Sequence, residues 1–269
     1  MKPSFHRCLG LELSGARNAR SVIAVFDYFP DLPKLVLREI VNSNPSGFHN
    51  DDEKLLECLE ELSSPATALQ QGIYVNAALS LPPTLLPKEE REEQENWMQD
   101  SWNSLEEKPK PFLPYLQRPA EIYLRHLSPS HFPIADSFSQ NAPLSFRALN
   151  LKEKINGTFF EVNNRISLFQ FGQSLKINPY SIQSLGSLTD GLRYRQEFLQ
   201  SLKSNFPALF IYEEIEESLL LKLEEFQAFI TGLTGFLHSN SASLKRPRNF
   251  PKSASWIQVP KVKNTFFDV

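Results

Sequence analysis

Two glutamates stand where the chain otherwise asks for burial. Glu12 lies in the apolar run CLGLEL and Glu161 in TFFEV. A buried carboxylate is costly unless it is paired, neutralised or bound to a metal. Two such residues in separate strands point to a shared site at the strand ends, where open α/β sheets place their chemistry. A carboxylate on the open face of an edge strand, or one satisfied by a nearby arginine, meets the same pattern. Two amides sit in comparable surroundings. Asn76 lies within YVNAALSLPP, and Gln227 lies in a long C-terminal helix on the side of Leu223, Ile230 and Thr231. Amides hydrogen-bond or offer a neutral oxygen to a cation, but they cannot act as bases. Ordinary hydrogen bonding within a core also accounts for them.

The segment 245–263 carries Lys245, Arg246, Arg248, Lys252, Lys261 and Lys263 with no acidic residue among them. A local basic strip is what phosphate contact requires; a tail that protects a sheet edge has the same composition. The whole chain has a formal charge of −3, so any nucleic-acid binding must come from such a patch. Several chemistries drop out. GxGxxG and GxxxxGK[ST] phosphate loops, a GxSxG elbow and HExxH are all missing from the sequence. The five histidines are scattered, and Pro129 separates the closest pair, His126 and His131. Cys8 and Cys58 lie in apolar patterns without a CxxC partner, as buried thiols of a reducing compartment do. The N-terminus lacks the apolar run of a signal peptide, and no stretch is apolar enough to span a bilayer. The expectation is a cytoplasmic protein without a membrane segment.

The elements that must position these residues read as follows. Cys8–Leu13, Ser21–Phe29 and Lys34–Ile40 are strand-like and closely connected, as in an antiparallel meander; Ser14-Gly15 turns the chain between the first two. A helix follows, capped by Asn50 with Glu53 three residues on, and Leu55, Leu56, Leu59 and Leu62 form its apolar stripe. Gly72–Ala78 reads as a buried strand. Residues 84–117, first charged and then proline-rich, read as an insertion or lid within a single domain spanning 1–269. A helix in its middle presents Trp97 and Trp102, either as a partner surface or as the local anchor of a solvated helix. Arg118–Leu127, Arg193–Leu202 and Ser218–Leu237 read as helices, Thr158–Val162 and Ser253–Val259 as strands. An apolar fraction of 41% is enough for a sizeable core, and the order of elements is that of an α/β domain.

In that order the segments resemble a family of predicted nucleases, domain of unknown function 429, within the ribonuclease H-like superfamily. CLGLELSG is similar to the family's opening strand, an apolar-Gly-apolar-Asp pattern. YVNAALSLPP stands where the family has IDAPLGLP. Arg118-Pro-Ala-Glu121 resembles its R-x-x-[DE] motif, and FFEVNNR its strand with glutamate and arginine, matched by Glu161 and Arg165. GLRYRQEFL resembles an arginine-bearing helix, FQAFITGLTGF the final helix, and SASWIQVP the closing strand. The resemblance covers nearly the whole chain, residues 84–117 least closely.

What it implies is a ribonuclease H-like mixed sheet: a three-stranded antiparallel meander, then parallel strands, flanked by helices. It further implies metal-dependent phosphodiester hydrolysis at acidic positions falling on Glu12, Asn76, Glu161 and Gln227. There Mg²⁺ or Mn²⁺ would activate water. Glu12 and Glu161 would hold the cation, with Glu224 or Glu121 as substitutes. Arg165, Arg193, Arg195 and Arg118 would meet the substrate, a nucleic acid reached through Arg165, Arg195 and the basic 245–263 segment. Two of the four positions have lost their charge, so activity is expected to be reduced or lost; a catalytically inactive binding or scaffold protein is the alternative. Actin-like ATPases share the core topology but need Gly-rich phosphate turns, and ELSGARNARS has a single glycine.

Overall fold

The two most apolar strands of the meander are buried on both faces, which explains why neither shows a clean alternation of polar and apolar residues. A computed structural model describes residues 5–14, 21–42, 52–63, 68–106, 115–128 and 137–261. In it β1 (Phe5–Glu12), β2 (Val22–Phe29) and β3 (Lys34–Asn42) pair antiparallel. Helix α1 (Asp52–Ser63) leads to β4 (Ala68–Val75), which returns parallel to β1. Asn50, Gly15 and Lys263 lie outside the described residues.

After the insertion, β5 (Phe159–Val162) adds parallel to β4, and β7 (Ile257–Gln258) adds parallel to β5. A three-residue strand, β6 (Leu209–Ile211), closes the other edge parallel to β3. The sheet order is β6-β3-β2-β1-β4-β5-β7. The expected antiparallel meander followed by parallel strands is therefore observed, in an α/β sheet flanked by helices. Several details differ from the sequence reading. β4 stops at Val75, and the last strand has two residues rather than seven. β6 was not expected, and neither were the helices α4 (Ala142–Lys154) and α5 (Asn164–Leu175).

The long C-terminal helix is two helices, α7 (Glu213–Leu221) and α8 (Leu223–Ser239). Lys222 between them is extended, at φ −113° and ψ 115°. The corner is held by polar contacts: the buried Glu225 carboxylate accepts from the Ser218 hydroxyl and from Lys222 Nζ.

Sheet period decides which side chain meets which helix. On one face Cys8, Val22, Ala24, Phe26 and Tyr74 pack under α8, together with α5 and α6 (Asp190–Asn205). On the other, Leu9, Leu11, Ile23, Val25, Ile73 and Val75 pack under α1 and α4. α8 runs close across β1. A Cβ built on Gly10 falls 2.3 Å from the Ala228 carbonyl oxygen and 2.3 Å from the Gly232 nitrogen, both backbone atoms that cannot swing aside. Gly10→Ala therefore forces strand and helix apart. The expected cost is about 1–3 kcal/mol, from overpacking, and urea denaturation checks it; an unchanged midpoint would show that the two elements separate freely.

A small satellite core lies between two helices. α2 (Lys88–Asn103) and α3 (Pro119–Leu127) enclose Met98, Trp102, Leu105 and Ile122. Trp97 lies edge-on to Phe250, ring centroids 5.0 Å apart, and Phe250 lies edge-on to Trp256. Gln94 donates to the Ser253 hydroxyl, and Glu93 accepts from Lys252 N and Ser253 Oγ. The tryptophans are thus the anchor of a charged helix, with Trp102 buried and Trp97 half-buried.

Candidate functional site

The parallel strands β1, β4 and β5 end together. Leu11 stands beside Val75, and Val75 beside Glu161. Glu12 and Asn76 come one residue later in their strands, and Asn76 N still donates to the Leu11 carbonyl, 3.2 Å away. Beyond these ends lies a cavity of about 270 Å³ bordered by Glu12, Asn76, Glu161 and Gln227. All four positions singled out in the sequence border one space, but their side chains do different things.

Glu12 sits at the centre of an amide network. Asn76 Nδ2 donates to its carboxyl group at 3.0 Å and 3.3 Å. Asn164 Nδ2 donates to the same group at 3.2 Å. The acceptor side of each amide is also engaged: Asn76 Oδ1 takes the Asn164 backbone N–H, and Asn164 Oδ1 lies 2.9 Å from the Thr231 hydroxyl. The network knits β1, β4, α5 and α8 together. Burial pushes the Glu12 carboxyl up to about 8, with the Asn76 hydrogen bond opposing and the negative charge of Glu224 adding to the rise. At neutral pH the group is therefore largely a protonated acid.

Glu161 belongs to the other face. Its register partner Val75 packs under α1 and α4, whereas Glu12 pairs with Val22, which packs under α8. A period of two sends the two glutamates to opposite sides of the sheet. Glu161 is buried, and a neighbouring arginine satisfies it. Arg118 approaches it in a bidentate geometry, Nη2 at 2.5 Å from Oε1 and Nη1 at 2.9 Å from Oε2. Leu79 N and the Ser255 hydroxyl donate to Oε2 as well.

The same guanidinium holds Glu121 at 3.3 Å, and that carboxylate also takes Arg118 N and Ser137 N. Glu121 is the third residue of α3, so the contact closes a capping box that starts the helix. Burial alone would weaken the guanidinium's hold on its proton, but the two carboxylates overcome this and raise it above its ordinary value. At 1% exposure, Arg118 is a clamp between the start of α3 and β5.

The other expected contacts separate by exposure. Arg165 is exposed and borders the cavity. Arg193 is exposed on α6, away from the cavity-lining residues. Arg195 is buried and engaged in structure: its Nε donates to the Leu220 carbonyl and its Nη1 to the Leu185 carbonyl, pinning α6 to the end of α7. Glu224 is exposed and does not border the cavity. In the basic segment, Arg246 donates to the Pro251 carbonyl and lies over the Phe250 ring, while Lys245, Arg248 and Lys252 are exposed. Sequence reasoning missed Asn164. The signal was available in the pair Asn163-Asn164 directly after a buried strand: Asn163 caps α5 by accepting from Ile166 N, leaving Asn164 to turn inward.

A pair of hard divalent cations needs several charged oxygens. Among the described residues that line the cavity, one carboxyl group is free of a cationic partner, Glu12, whose oxygens already accept two amide donors. Among the described residues no three of His, Cys, Asp and Glu gather as a metal site. This donor set does not fit a two-cation centre. It does fit the recognition of a hydrogen-bonding ligand, since Ser137, Gln140, Asn141, Ser145 and Asn163 complete a polar wall. Among the described residues no helix is long and apolar enough to cross a membrane. No protein-family model, no curated protein and no solved structure matches the chain.

Proposed function

We propose that the chain is a divergent ribonuclease H-like protein whose strand-end site binds a ligand and has lost phosphodiester hydrolysis. The strand order β3-β2-β1-β4-β5, with a meander followed by parallel strands, supports the fold assignment. The observation that carries the loss of hydrolysis is the Glu161 carboxylate, closed on Arg118 by two hydrogen bonds. A carboxylate so paired adds little negative charge to the cavity, and the amides of Asn76 and Gln227 add none. Among the described residues Arg165 is the exposed cation that borders the cavity, and it is the residue through which an anionic or nucleic-acid group would be met.

The test is a titration with Mn²⁺ and Mg²⁺, read by calorimetry and by thermal melting, beside a cleavage assay on single- and double-stranded DNA and RNA. The expected result is no saturable binding and no rise in melting temperature up to about 10 mM, because a ligand far below its Kd adds almost nothing to the stability of the fold. The double variant Asn76→Asp, Gln227→Glu supplies the missing charge beside Glu12 and should gain Mn²⁺ binding. Metal-dependent cleavage by the natural chain would overturn the proposal in favour of an active phosphodiesterase.

A further inference from the structure

We infer that the cavity takes a neutral ligand with adjacent hydroxyl groups, a sugar of the ribose class. The inference deepens the binding role proposed above and rests on it. Three observations carry it. First, carboxamides are prominent in the cavity lining, among them Gln140, Asn141 and Gln227. These three side chains make no hydrogen bond to a described residue: Asn141 occupies an N-cap position without capping through its side chain, and Gln227 engages others through its backbone carbonyl. Each amide offers one acceptor and two donors in a plane, which suits a pair of neighbouring hydroxyls.

Second, among the described residues the lining carries little free charge. Glu161 is paired with Arg118, burial keeps the proton on Glu12 despite its two amide donors, and Arg165, the cation that borders the space, is exposed. An anionic or cationic ligand would find no unpaired buried counter-charge among the described residues, whereas a polyol needs none. Third, no aromatic ring of the described residues borders the space. Single-stranded nucleic acids and free bases are usually held by stacking on such rings, so the walls favour the hydroxyl-rich part of a nucleoside over its base. A volume of about 270 Å³ corresponds to roughly nine waters at liquid density. A sugar ring exchanges several of those waters for its own hydroxyls without losing their hydrogen bonds.

The experiment uses the full chain and five probes: D-ribose, 2-deoxy-D-ribose, uridine, 2′-deoxyuridine and inorganic phosphate, each titrated by ligand-observed NMR. Saturable binding of ribose, of uridine, or of both is expected in the millimolar range, each about three- to tenfold tighter than its deoxy counterpart, the factor one lost hydrogen bond gives. Uridine alone would identify a nucleoside's ribose, and ribose alone a free sugar. Gln227→Ala and Asn141→Ala should each weaken binding by a similar factor, while Gln196→Ala, on an exposed part of α6, should not. Melting curves confirm that each variant is folded. Equal affinity for hydroxy and deoxy probes, phosphate binding alone, or silence from all five to about 50 mM overturns the inference. Mn²⁺-dependent cleavage, by contrast, defeats the proposed function itself, so the two failures are separately visible.

Discussion

Arg118→Met lowers the stability of the chain by about 3–5 kcal/mol, the usual consequence of removing one partner from a buried ion pair. In a chain of this size that is a fall in melting temperature on the order of 10 °C. Methionine keeps most of the volume, so the loss is electrostatic. Glu121 and Glu161, 1% and 3% exposed, would be left without that cation, held among the described residues by Leu79 N, Ser137 N, Arg118 N and the Ser255 hydroxyl. The triple variant Arg118→Met, Glu121→Gln, Glu161→Gln removes all three charges and should recover a large part of the loss, since an uncharged cluster carries no such desolvation cost. Thermal and urea denaturation of the single and triple variants decide the matter. Should Arg118→Met melt with the natural chain and lose ligand binding instead, the guanidinium faces the ligand and the clamp is misread.

That clamp shows where the sequence was legible. Glu161 inside TFFEV announced a carboxylate with a burial problem, and a nearby arginine was one of its solutions. Arg118 was visible as a motif with Glu121. What could not be read was that the two segments, 43 residues apart, solve each other's problem. Pairing across the fold leaves no periodic trace in either segment. The meander and α1 were legible because apolar period and turn residues act locally. α5 was not, because its residues are buried on nearly every side, so NRISLFQFGQSL lacks the one-sided stripe that marks a surface helix. β6, at three residues, is shorter than the window in which alternation can be recognised. The break at Lys222 was hidden because LLLKLEEF reads as one apolar helix; the contacts of Glu225 with Ser218 and Lys222 that hold the corner leave no mark on that pattern. At the site, the family resemblance grouped Glu12, Asn76 and Gln227, and all three border one cavity. The face on which Glu161 leaves the sheet depends on strand register, which is set between strands and not within one.

Glu12 gives the second large effect, and its sign follows from proton linkage. Its carboxyl is raised from an ordinary 4.5 to about 8, chiefly by burial, with the Asn76 hydrogen bond opposing and Glu224 adding to the rise. Below about pH 4.5 the group is protonated in folded and unfolded chains alike and adds no pH dependence. Between 4.5 and 8 the unfolded chain releases the proton while the folded chain keeps it. The folded state then binds more protons, so stability falls as pH rises through that window and levels off above it. Because Glu12 is half-buried and its field is partly screened, the loss is on the order of 3 kcal/mol. Glu12→Gln retains an oxygen that can accept from Asn76 or Asn164 but cannot ionise. The variant should therefore match the natural chain near pH 5 and exceed it by that amount at pH 9, as read from urea midpoints measured across the range. A constant difference between the two chains at every pH would mean that Glu12 is already ionised in the fold. The cavity would then hold a permanent negative charge, and its affinity would turn from neutral sugars toward cations.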